Sequence, residues 1–503
     1  MVLKDKQRLT IFTITIKTEK LRQIQLLEIP LIFSEKQPIS ENLTPIEGIR
    51  KYGPYDLNCS QTLKRKFNGV EFFVFYPKGE KIVLKRLSKL MSFLKSGYYE
   101  KRSYIDQDFN GLAEEFRLKN TFIPEEREFR GYEPGNLFRE LEDWKEDLEQ
   151  IFKRGNRPIV IIGGTSHRSV TKNRSQYIEA KRIFTELDFP CQYASFYQYE
   201  KETSGAGILY NVGRKDRPFG YSLWNFALNI YGKIGGLAWV VRQKLSEDDE
   251  KVIDLTIGLR FVRSRDRKGF HVGYATILDR FGKLVGIVSS SPFKIEKISF
   301  PGMVVPEKIM KEIISKALKN ALNDPRIKEI YSKKGSINVA IHRVGSLFHK
   351  KEIYGISQGI KSTIKEYANV KYGLISVIKR SPALVFNRRS PRFNVIRRTA
   401  IGLNDITVIL YTTGPTDTGS KSPISYPITI ISQNLGEEKS PFESLEEICN
   451  HVFSLTNLHW QTVVPGSVRL PASLEFAQDI ARLSSFGIEP KKNSWLWETL
   501  WFV

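Results

Sequence analysis

The most informative part of this sequence is residues 251–290, KVIDLTIGLRFVRSRDRKGFHVGYATILDRFGKLVGIVSS. Segments rich in β-branched and aromatic residues lie at 251–263, 270–279 and 284–290, and the tight turn DRFGK joins the last two. A turn this short connects antiparallel neighbours. We therefore predict three consecutive antiparallel strands in this part of the chain.

The elements predicted after these strands favour one fold class. A helix is predicted at 306–321, a strand at 336–344 in SINVAIHRV, and a helix at about 351–367. Three antiparallel strands followed by helix, strand and helix is the order expected of an RNase H-like α/β domain. The remaining predicted elements are strands at 371–379, 393–411 and 427–432 and helices at 442–456 and 471–484.

Strands and helices alternate in the segment before residue 246. The buried strand PIVIIGG is followed by a polar loop, a helix at about 175–187, the strand CQYASF and a helix at 222–235. This alternation predicts a parallel, doubly wound, Rossmann-like sheet. Earlier in the chain the pattern predicts strands at 9–16, 26–33 and 70–77 and helices at about 80–96 and 136–153.

The chain has 503 residues, which is enough for roughly three domains or two large ones. The charge-rich segment SEDDE (246–250) separates the two α/β patterns. We therefore predict three parts: N-terminal strands and a linker that pack on the core (1–75), a Rossmann-like domain (76–245) and an RNase H-like domain (246–503).

The chain carries a formal net charge of +23, and 41% of its residues are hydrophobic, so it is a folded and strongly basic protein. This charge favours a polyanionic partner, nucleic acid or an acidic membrane surface, over a solubility charge spread evenly over the surface. The three cysteines lie far apart, and the six histidines form no ligand cluster with them, so neither disulfides nor a zinc site is expected. No apolar run reaches the ~18 residues of a membrane span, and we expect a cytoplasmic protein.

The helix predicted at 222–235 carries a polar stripe on an otherwise apolar surface. Asn225, Asn229 and Lys233 recur at i, i+4 and i+8. Burying two amides and an ammonium costs several kcal/mol unless each group finds a partner. The stripe therefore faces a polar ligand or a solvent channel, or Lys233 extends to the surface, and the pattern alone does not choose between them.

The helix predicted at 175–187 places Tyr177 and Lys181 one turn apart, beside its apolar arc and near its N-terminus. Helix N-termini that follow polar loops in doubly wound sheets are natural anion sites. Tyrosine supplies a hydroxyl and a stacking face, and lysine supplies a point charge for phosphate. The sequence contains no GxGxxG and no Walker pattern, so a nucleotide cofactor has little support.

Together these side chains resemble the set with which the MID domain of Argonaute proteins holds the 5′ phosphate of a guide strand. The segment YGKIGGLAW (231–239) is similar to that family's YAKxGGxPW, and its two departures remove no phosphate ligand. The resemblance also implies a Mg²⁺ ion at this phosphate, held in part by the terminal carboxylate of the chain, here on Val503. The residues that match the guide-phosphate set are Tyr177, Lys181, Gln192, Asn225 and Lys233.

The resemblance extends to the PIWI domain, where active relatives hold two Mg²⁺ ions about 4 Å apart with converging carboxylates. We match the ligand positions to Leu259 in IGLR, Val344 in HRVG and Gln478 in FAQ, none of which is acidic. Asp254 lies five residues before position 259 and points to the opposite side of a strand. The family's glutamate is left unplaced. We expect a PIWI domain without a metal pair and without nuclease activity.

Other segments similar to Argonautes are GFHVGYATILDRFGK (269–283), LTNLHW (455–460) and IRKYGPYD near residue 50. The resemblance spans nearly the whole chain and leaves no room for a PAZ domain, so the chain resembles a short prokaryotic Argonaute, archaea included. It implies a 5′-phosphorylated guide, with RNA favoured, that pairs with invading DNA. It further implies a partner with an APAZ region linked to an effector, abortive-infection defence against viruses and plasmids, and membrane contact only through that partner.

Two other functions remain open. The first is a slicing endonuclease in which Asp254, Asp279 or Glu307 rebuilds a metal site. The second is a basic scaffold protein that binds no guide. Short 5′-phosphorylated strands that copurify with the protein would exclude the scaffold, and guided target cleavage would identify the endonuclease.

Overall fold

A computed structural model describes residues 22–26, 29–34, 36–38, 41–56, 69–99, 108–133, 136–137, 139–140, 144, 146–147, 149–150, 154–166, 170–197, 219–241, 252–264, 268–295, 303–345, 347–364, 370–379, 381, 394–415, 425–464, 468–491 and 494–502. The strand predicted at 9–16 lies outside these residues, and the helix predicted at 136–153 lies partly outside them.

The N-terminal half alternates strands and helices as predicted. Its elements are β1 (Arg22–Gln25), β2 (Leu31–Ile32), α1 (Pro45–Tyr52), β3 (Gly69–Pro77), α2 (Lys81–Ser96), α3 (Leu112–Glu115), β4 (Thr121–Phe122), β5 (Arg130–Tyr132), β6 (Asn156–Ser166), α4 (Val170–Glu186), β7 (Cys191–Tyr197), α5 (Phe219–Lys233) and β8 (Val240–Val241).

The smaller sheet is parallel and covered on both faces. Its strand order is β4-β3-β6-β7, with β5 paired to β3. Along β6 the side chains alternate: Ile159 and Ile161 belong to a core shared with α2 and α5, whereas Val160 and Ile162 pack with α4. This is the doubly wound arrangement that the sequence predicts. Strand β3 crosses the predicted boundary at residues 75 and 76, and the division into domains stays a prediction.

The C-terminal half begins with the three predicted strands. Its elements are β9 (Leu255–Arg263), β10 (His271–Asp279), β11 (Leu284–Ser289), α6 (Glu307–Asn323), α7 (Pro325–Lys334), β12 (Ile337–Val344), α8 (Lys350–Lys361), β13 (Val370–Ile378), β14 (Thr399–Asn404), β15 (Thr407–Tyr411), β16 (Pro427–Ser432), α9 (Leu445–Thr456) and α10 (Ala472–Ser484).

The larger sheet has the order β1-β14-β15-β16-β13-β12-β9-β10-β11. Strands β9, β10 and β11 are antiparallel, and β12 runs parallel to both β9 and β13. Helices α6 and α8 pack together with one face of β9, and α10 packs on the other. The RNase H-like order is therefore confirmed. Two details differ from the sequence prediction: Asp324 caps an additional helix, α7, and the strand predicted at 393–411 is the hairpin of β14 and β15.

The two halves share one apolar core. Strand β2 pairs with β8, and β1 adds an edge strand beside β14, so N-terminal residues contribute to both halves. The shared core continues from Phe33 through Trp224 and Phe476 to Phe502. Among the described residues, every helix is either too short or too polar to cross a lipid bilayer.

Close packing of α10 on β9 gives a test of this arrangement. An added Cβ at Gly258 would lie 2.1 Å from the backbone oxygen of Ser473, at the start of α10. Because that oxygen belongs to a helix, it cannot move aside alone, and we expect Gly258→Ala to cost about 1–3 kcal/mol of unfolding free energy. Thermal and urea unfolding measure the loss.

Gly286→Ala in β11 is the matched control for that substitution. Its Cβ would meet the side-chain amide of Asn320 at 2.8 Å, and that amide can rotate away. We expect the control to lose clearly less stability than Gly258→Ala. Equal losses would contradict the packing of α10 described above.

Candidate functional site

Lys181 on α4 and Lys233 at the end of α5 are both buried, with 2% and 0% of their surface exposed. Burial lowers the pKa of Lys181 to about 8. Burial and then the positive charge of Lys181 lower the pKa of Lys233 well below its ordinary value. The structure therefore brings these two predicted residues together, and their ammonium groups repel each other in an apolar setting.

The local sequence explains why Lys233 sits at this point. Every turn of α5 buries large apolar side chains, Trp224 and Tyr231 among them, so the helix is held on nearly all sides. Gly235 adopts φ +84°, and its N–H donates to the oxygen of Gly232, which ends the helix directly after the lysine. The helix end thus holds the Lys233 side chain in the interior.

Tyr177 lies one turn before Lys181 on α4. Burial raises the pKa of Tyr177 to about 12, so the phenol stays protonated and is a hydrogen-bond donor. Its ring packs edge-on against Tyr193, with the ring centroids 5.9 Å apart. The charge of Asp479 acts on Tyr177 and on both lysines, so the phenol lies in the same electrostatic environment as the ammonium groups.

The predicted amide residues lie on β7 and α5. The Oε1 atom of Gln192 and the Oδ1 atom of Asn229 are buried, and neither accepts a hydrogen bond from any described residue. Asn225 differs, because its Oδ1 accepts a hydrogen bond from the backbone N–H of Val463 at 2.8 Å. Since Asn225 lies about 12 Å of helix rise before Lys233, the structure does not bring it to the lysine pair.

The C-terminal segment, residues 500–502, borders the site on one side. The Nζ atom of Lys181 donates to the backbone oxygen of Trp501 at 2.9 Å, and the N–H of Leu500 donates to the oxygen of Gly232 at 3.2 Å. Trp501 and Phe502 are buried, whereas Val503 lies outside the described residues. The chain end is therefore delivered to the lysine pair.

The site offers oxygen atoms of the kind that a Mg²⁺ ion bound beside an anion would use. Mg²⁺ takes oxygen ligands, and the two buried amide oxygens of Gln192 and Asn229 are of that kind. The ammonium groups of Lys181 and Lys233 require an anion beside any such cation.

Helix α10 adds residues that the sequence prediction missed. Asp479 forms an ion pair with Arg482 at 3.3 Å and accepts a hydrogen bond from Gln461 at 3.1 Å. Burial raises the pKa of Asp479, and the charges of Arg482 and Lys181 oppose that rise. The i, i+3 spacing of an acid and an arginine on α10 was visible in the sequence, but nothing local linked it to residues near 181.

The three positions matched to the nuclease ligands do not share one face. Leu259 is fully buried in the apolar core between β9 and α6, on the opposite face from α10. Val344 is half-buried and packs against the core on the α10 side. Gln478 on α10 accepts a hydrogen bond from the Nζ atom of Lys379 at 2.6 Å.

Arg260, the neighbour of Leu259, is the β9 side chain on the α10 face. Gly258, which shares its face, abuts Ser473 of α10, and the Arg260 guanidinium interacts electrostatically with Glu475. The structure thus corrects the position matched to the first ligand by one residue, from Leu259 to Arg260. Neither side chain is a carboxylate.

Two of the three carboxylates proposed for a rebuilt nuclease site are engaged elsewhere. Asp254 accepts from Arg280 at 2.6 Å and from the backbone N–H of Asn338 at 3.0 Å. Asp279 pairs with Arg326 at 3.0 Å. Glu307 lies in the first turn of α6. Within the described ranges, no three His, Cys, Asp or Glu residues are grouped as a metal site would need.

No family model matches the chain. The chain is 26% identical over 315 residues to the curated "Protein argonaute" of Aquifex aeolicus (strain VF5), a match that covers 60% of this chain and 38% of that protein. The chain therefore spans well under two thirds of the length of this relative.

Solved structures show the same fold. The Argonaute of Clostridium butyricum, bound to a guide DNA and a 19-mer target DNA, matches with a TM-score of 0.56 and 20% identity over 95% of this chain and 55% of that one. A. aeolicus Argonaute matches with a TM-score of 0.53, and its complex with externally bound siRNA with 0.52, each at 18% identity and over 95% of this chain. The matches cover 55% and 56% of those two chains. With the sequence match, these likenesses make the chain a homologue of the prokaryotic Argonautes that carries their α/β MID–PIWI fold.

Proposed function

We propose that this chain is a guide-binding Argonaute that recognises a target without cutting it. The guide is a 5′-phosphorylated RNA, its terminal phosphate binds between Lys181 and Lys233, and the paired strand is invading DNA. The observation that carries this proposal is the burial of two mutually repelling lysines at the junction of α4, α5 and the C-terminal segment.

The energetics of the lysine pair favour a doubly charged ligand. Two ammonium groups held in a dry environment cost several kcal/mol unless an anion compensates them. Asp479 acts on both lysines, but it is ion-paired with Arg482. A terminal phosphate carries close to two negative charges at neutral pH, whereas an internal phosphodiester carries one. The site therefore suits the 5′ end of a strand better than its interior.

Mg²⁺ and the chain terminus complete the proposed site. We propose that Gln192, Asn229 and the Val503 carboxylate hold the ion, which would neutralise part of the phosphate charge. The phenolic O–H of Tyr177 would donate a hydrogen bond to a phosphate oxygen. Asn225 supports the neighbouring Val463 segment and acts on the phosphate at most indirectly.

We propose the absence of cleavage from the side chains that occupy the matched ligand positions on the larger sheet and on α10. Two-metal hydrolysis needs carboxylates on adjacent elements, and the positions on the α10 face are Arg260, Val344 and Gln478. A cationic guanidinium opposes Mg²⁺ binding. Asp254 and Asp279 are buried and form ion pairs with arginines, and moving either carboxylate to a metal would break its ion pair.

A protein that recognises a target nucleic acid without cutting it needs a second activity to produce a defence response. We propose that a cytoplasmic partner with an APAZ region and an effector supplies it, so that target binding triggers abortive infection. Copurification of this chain with the product of a neighbouring gene, dependent on guide and target, tests that step. A guide-loaded chain that protects cells with no partner present would refute it.

Removing the lysine pair should abolish recognition of the 5′ phosphate. We expect Lys181→Ala with Lys233→Ala to weaken binding of a 5′-phosphorylated guide roughly 100-fold, since two charge-assisted contacts are lost. Binding of the same strand with a 5′ hydroxyl should change little. Filter binding with both strands measures the difference, and the exposed Lys85→Ala on α2 is the matched control. Equal losses for the two guides would contradict the assignment.

Binding of the phosphate should also depend on pH. The lowered pKa values of Lys181 and Lys233 mean that the free protein must take up protons when the phosphate binds, increasingly so above about pH 8. Affinity for the phosphorylated guide is thus fully present below about pH 8 and declines as the pH rises above that value. Calorimetry in buffers of different ionisation enthalpy reports the proton uptake. A 5′-hydroxyl guide with the same pH dependence would speak against the lysines.

Cleavage is tested directly with a labelled complementary target. With guide and either Mg²⁺ or Mn²⁺ present, we expect the target to remain intact over many hours. Specific cutting that disappears in Asp254→Asn or Asp279→Asn would establish the endonuclease function instead.

A further inference from the structure

We propose that Arg260, Lys379 and Arg469 form a second anion site, which holds a backbone phosphodiester of the bound nucleic acid with fixed positive charge. This inference rests on the proposed function, because it assumes that a strand anchored at Lys181 and Lys233 continues past α10. It assigns a binding role to the part of the larger sheet where the positions matched to nuclease metal ligands carry no acidic residue.

The fold brings the three cations to one edge of the larger sheet. Strands β9, β12 and β13 are adjacent and parallel, so their carboxyl ends lie together. Arg260 is near the end of β9, and Lys379 directly follows β13. Arg469 precedes α10, and its guanidinium donates to the backbone oxygen of Lys379 and, at 2.7 Å, to that of Pro427. Crevices at the carboxyl ends of parallel strands are common ligand sites.

Hydrogen bonding within the protein leaves these cations undersupplied with acceptors. The Nε atoms of Arg260 and Arg469 are buried and have no acceptor among the described residues. Lys379 donates to Gln478, a neutral amide. Buried guanidinium N–H groups without acceptors are costly, and phosphate oxygens are the acceptors that arginine matches best.

The charge balance also favours an anion. Glu475 is the carboxylate on α10 that interacts electrostatically with both Arg260 and Lys379. Burial raises the pKa of Glu475, because the ionised carboxylate is disfavoured in this setting, and the charges of Lys379 and Arg260 oppose that rise. Arg260 and Arg469 in turn act on Lys379 with the same sign of charge. Two carboxylates, Glu475 and Asp479, therefore act on these three cations, and since Asp479 is already ion-paired with Arg482, the site keeps a net positive charge.

Position selects a phosphodiester over other anions. Asp479 on α10 interacts electrostatically with both Lys379 and Lys181, so the same helix borders the lysine pair and the second site. A strand held by its end at the first site meets the second through its backbone. A backbone phosphodiester is a monoanion that recurs along the strand, and contacts with it carry no sequence preference.

The test uses the full-length chain loaded with a phosphorylated guide. We expect Arg260→Ala and Lys379→Ala each to weaken target binding about 10-fold and to reduce the slope of log affinity against log salt by about 1. Arg260→Lys should restore most of the binding and the slope. The exposed Arg127→Ala is the control. Unchanged affinity and salt slope in the two alanine variants would overturn the second site.

Two further measurements separate this inference from the proposed function. The alanine variants should retain full preference for a 5′-phosphorylated over a 5′-hydroxyl guide, since the lysine pair is intact; loss of that preference would overturn the separate site. A 5′-hydroxyl duplex binds without the lysine pair, so its salt slope should still fall in Arg260→Ala. If the lysine variants keep the normal preference for a 5′-phosphorylated guide while this slope falls, the 5′-phosphate site at Lys181 and Lys233 fails and the second site stands.

Discussion

The burial of two lysine side chains at the junction of α4 and α5 is the constraint on which the candidate site depends. Lys181 and Lys233 are held together by elements that are themselves fixed by apolar packing, so neither can withdraw to water. Lys181 is also tied to the chain end through the oxygen of Trp501. Because burial lowers the pKa of both lysines, negative charge placed beside them would favour their protonated forms.

Helix α10 connects this pair to the rest of the molecule. Its first turn abuts Gly258, and the backbone oxygen of Ser473 accepts a hydrogen bond from Thr276 at 2.6 Å. Glu475, also in the first turn, interacts electrostatically with Arg260 and Lys379, and Gln478 accepts a hydrogen bond from Lys379. Asp479 and Arg482 then act on Tyr177 of α4. A single rigid helix thereby fixes the relative positions of two basic sites, one in each half of the chain.

The charged residues of the larger sheet serve two different purposes. Several buried carboxylates form ion pairs with arginines: Asp254 with Arg280, Asp279 with Arg326, and Glu352 with Arg343, at 2.6 to 3.0 Å. These pairs are structural, since they compensate the charge of carboxylates that lie in the interior. Arg260 and Lys379 lack such pairs among the described residues and lie toward the carboxyl ends of the parallel strands. The difference separates charges that stabilise the fold from charges that are available to a ligand.

The sequence by itself determined the class of both sheets and the order of most elements, because periodicity and spacing are local properties of the chain. The spacing of polar residues on two helices also singled out Lys181 and Lys233 as candidate site residues. The likeness to Argonautes also followed from local motifs and is confirmed. Tertiary structure alone decided which face of β9 meets α10, and so replaced Leu259 by Arg260 as the residue at that site. It also decided that Val463 engages Asn225 and that Asp479 acts on Lys181. Alternation along a strand reveals that two faces differ, but only long-range packing chooses the partner of each face.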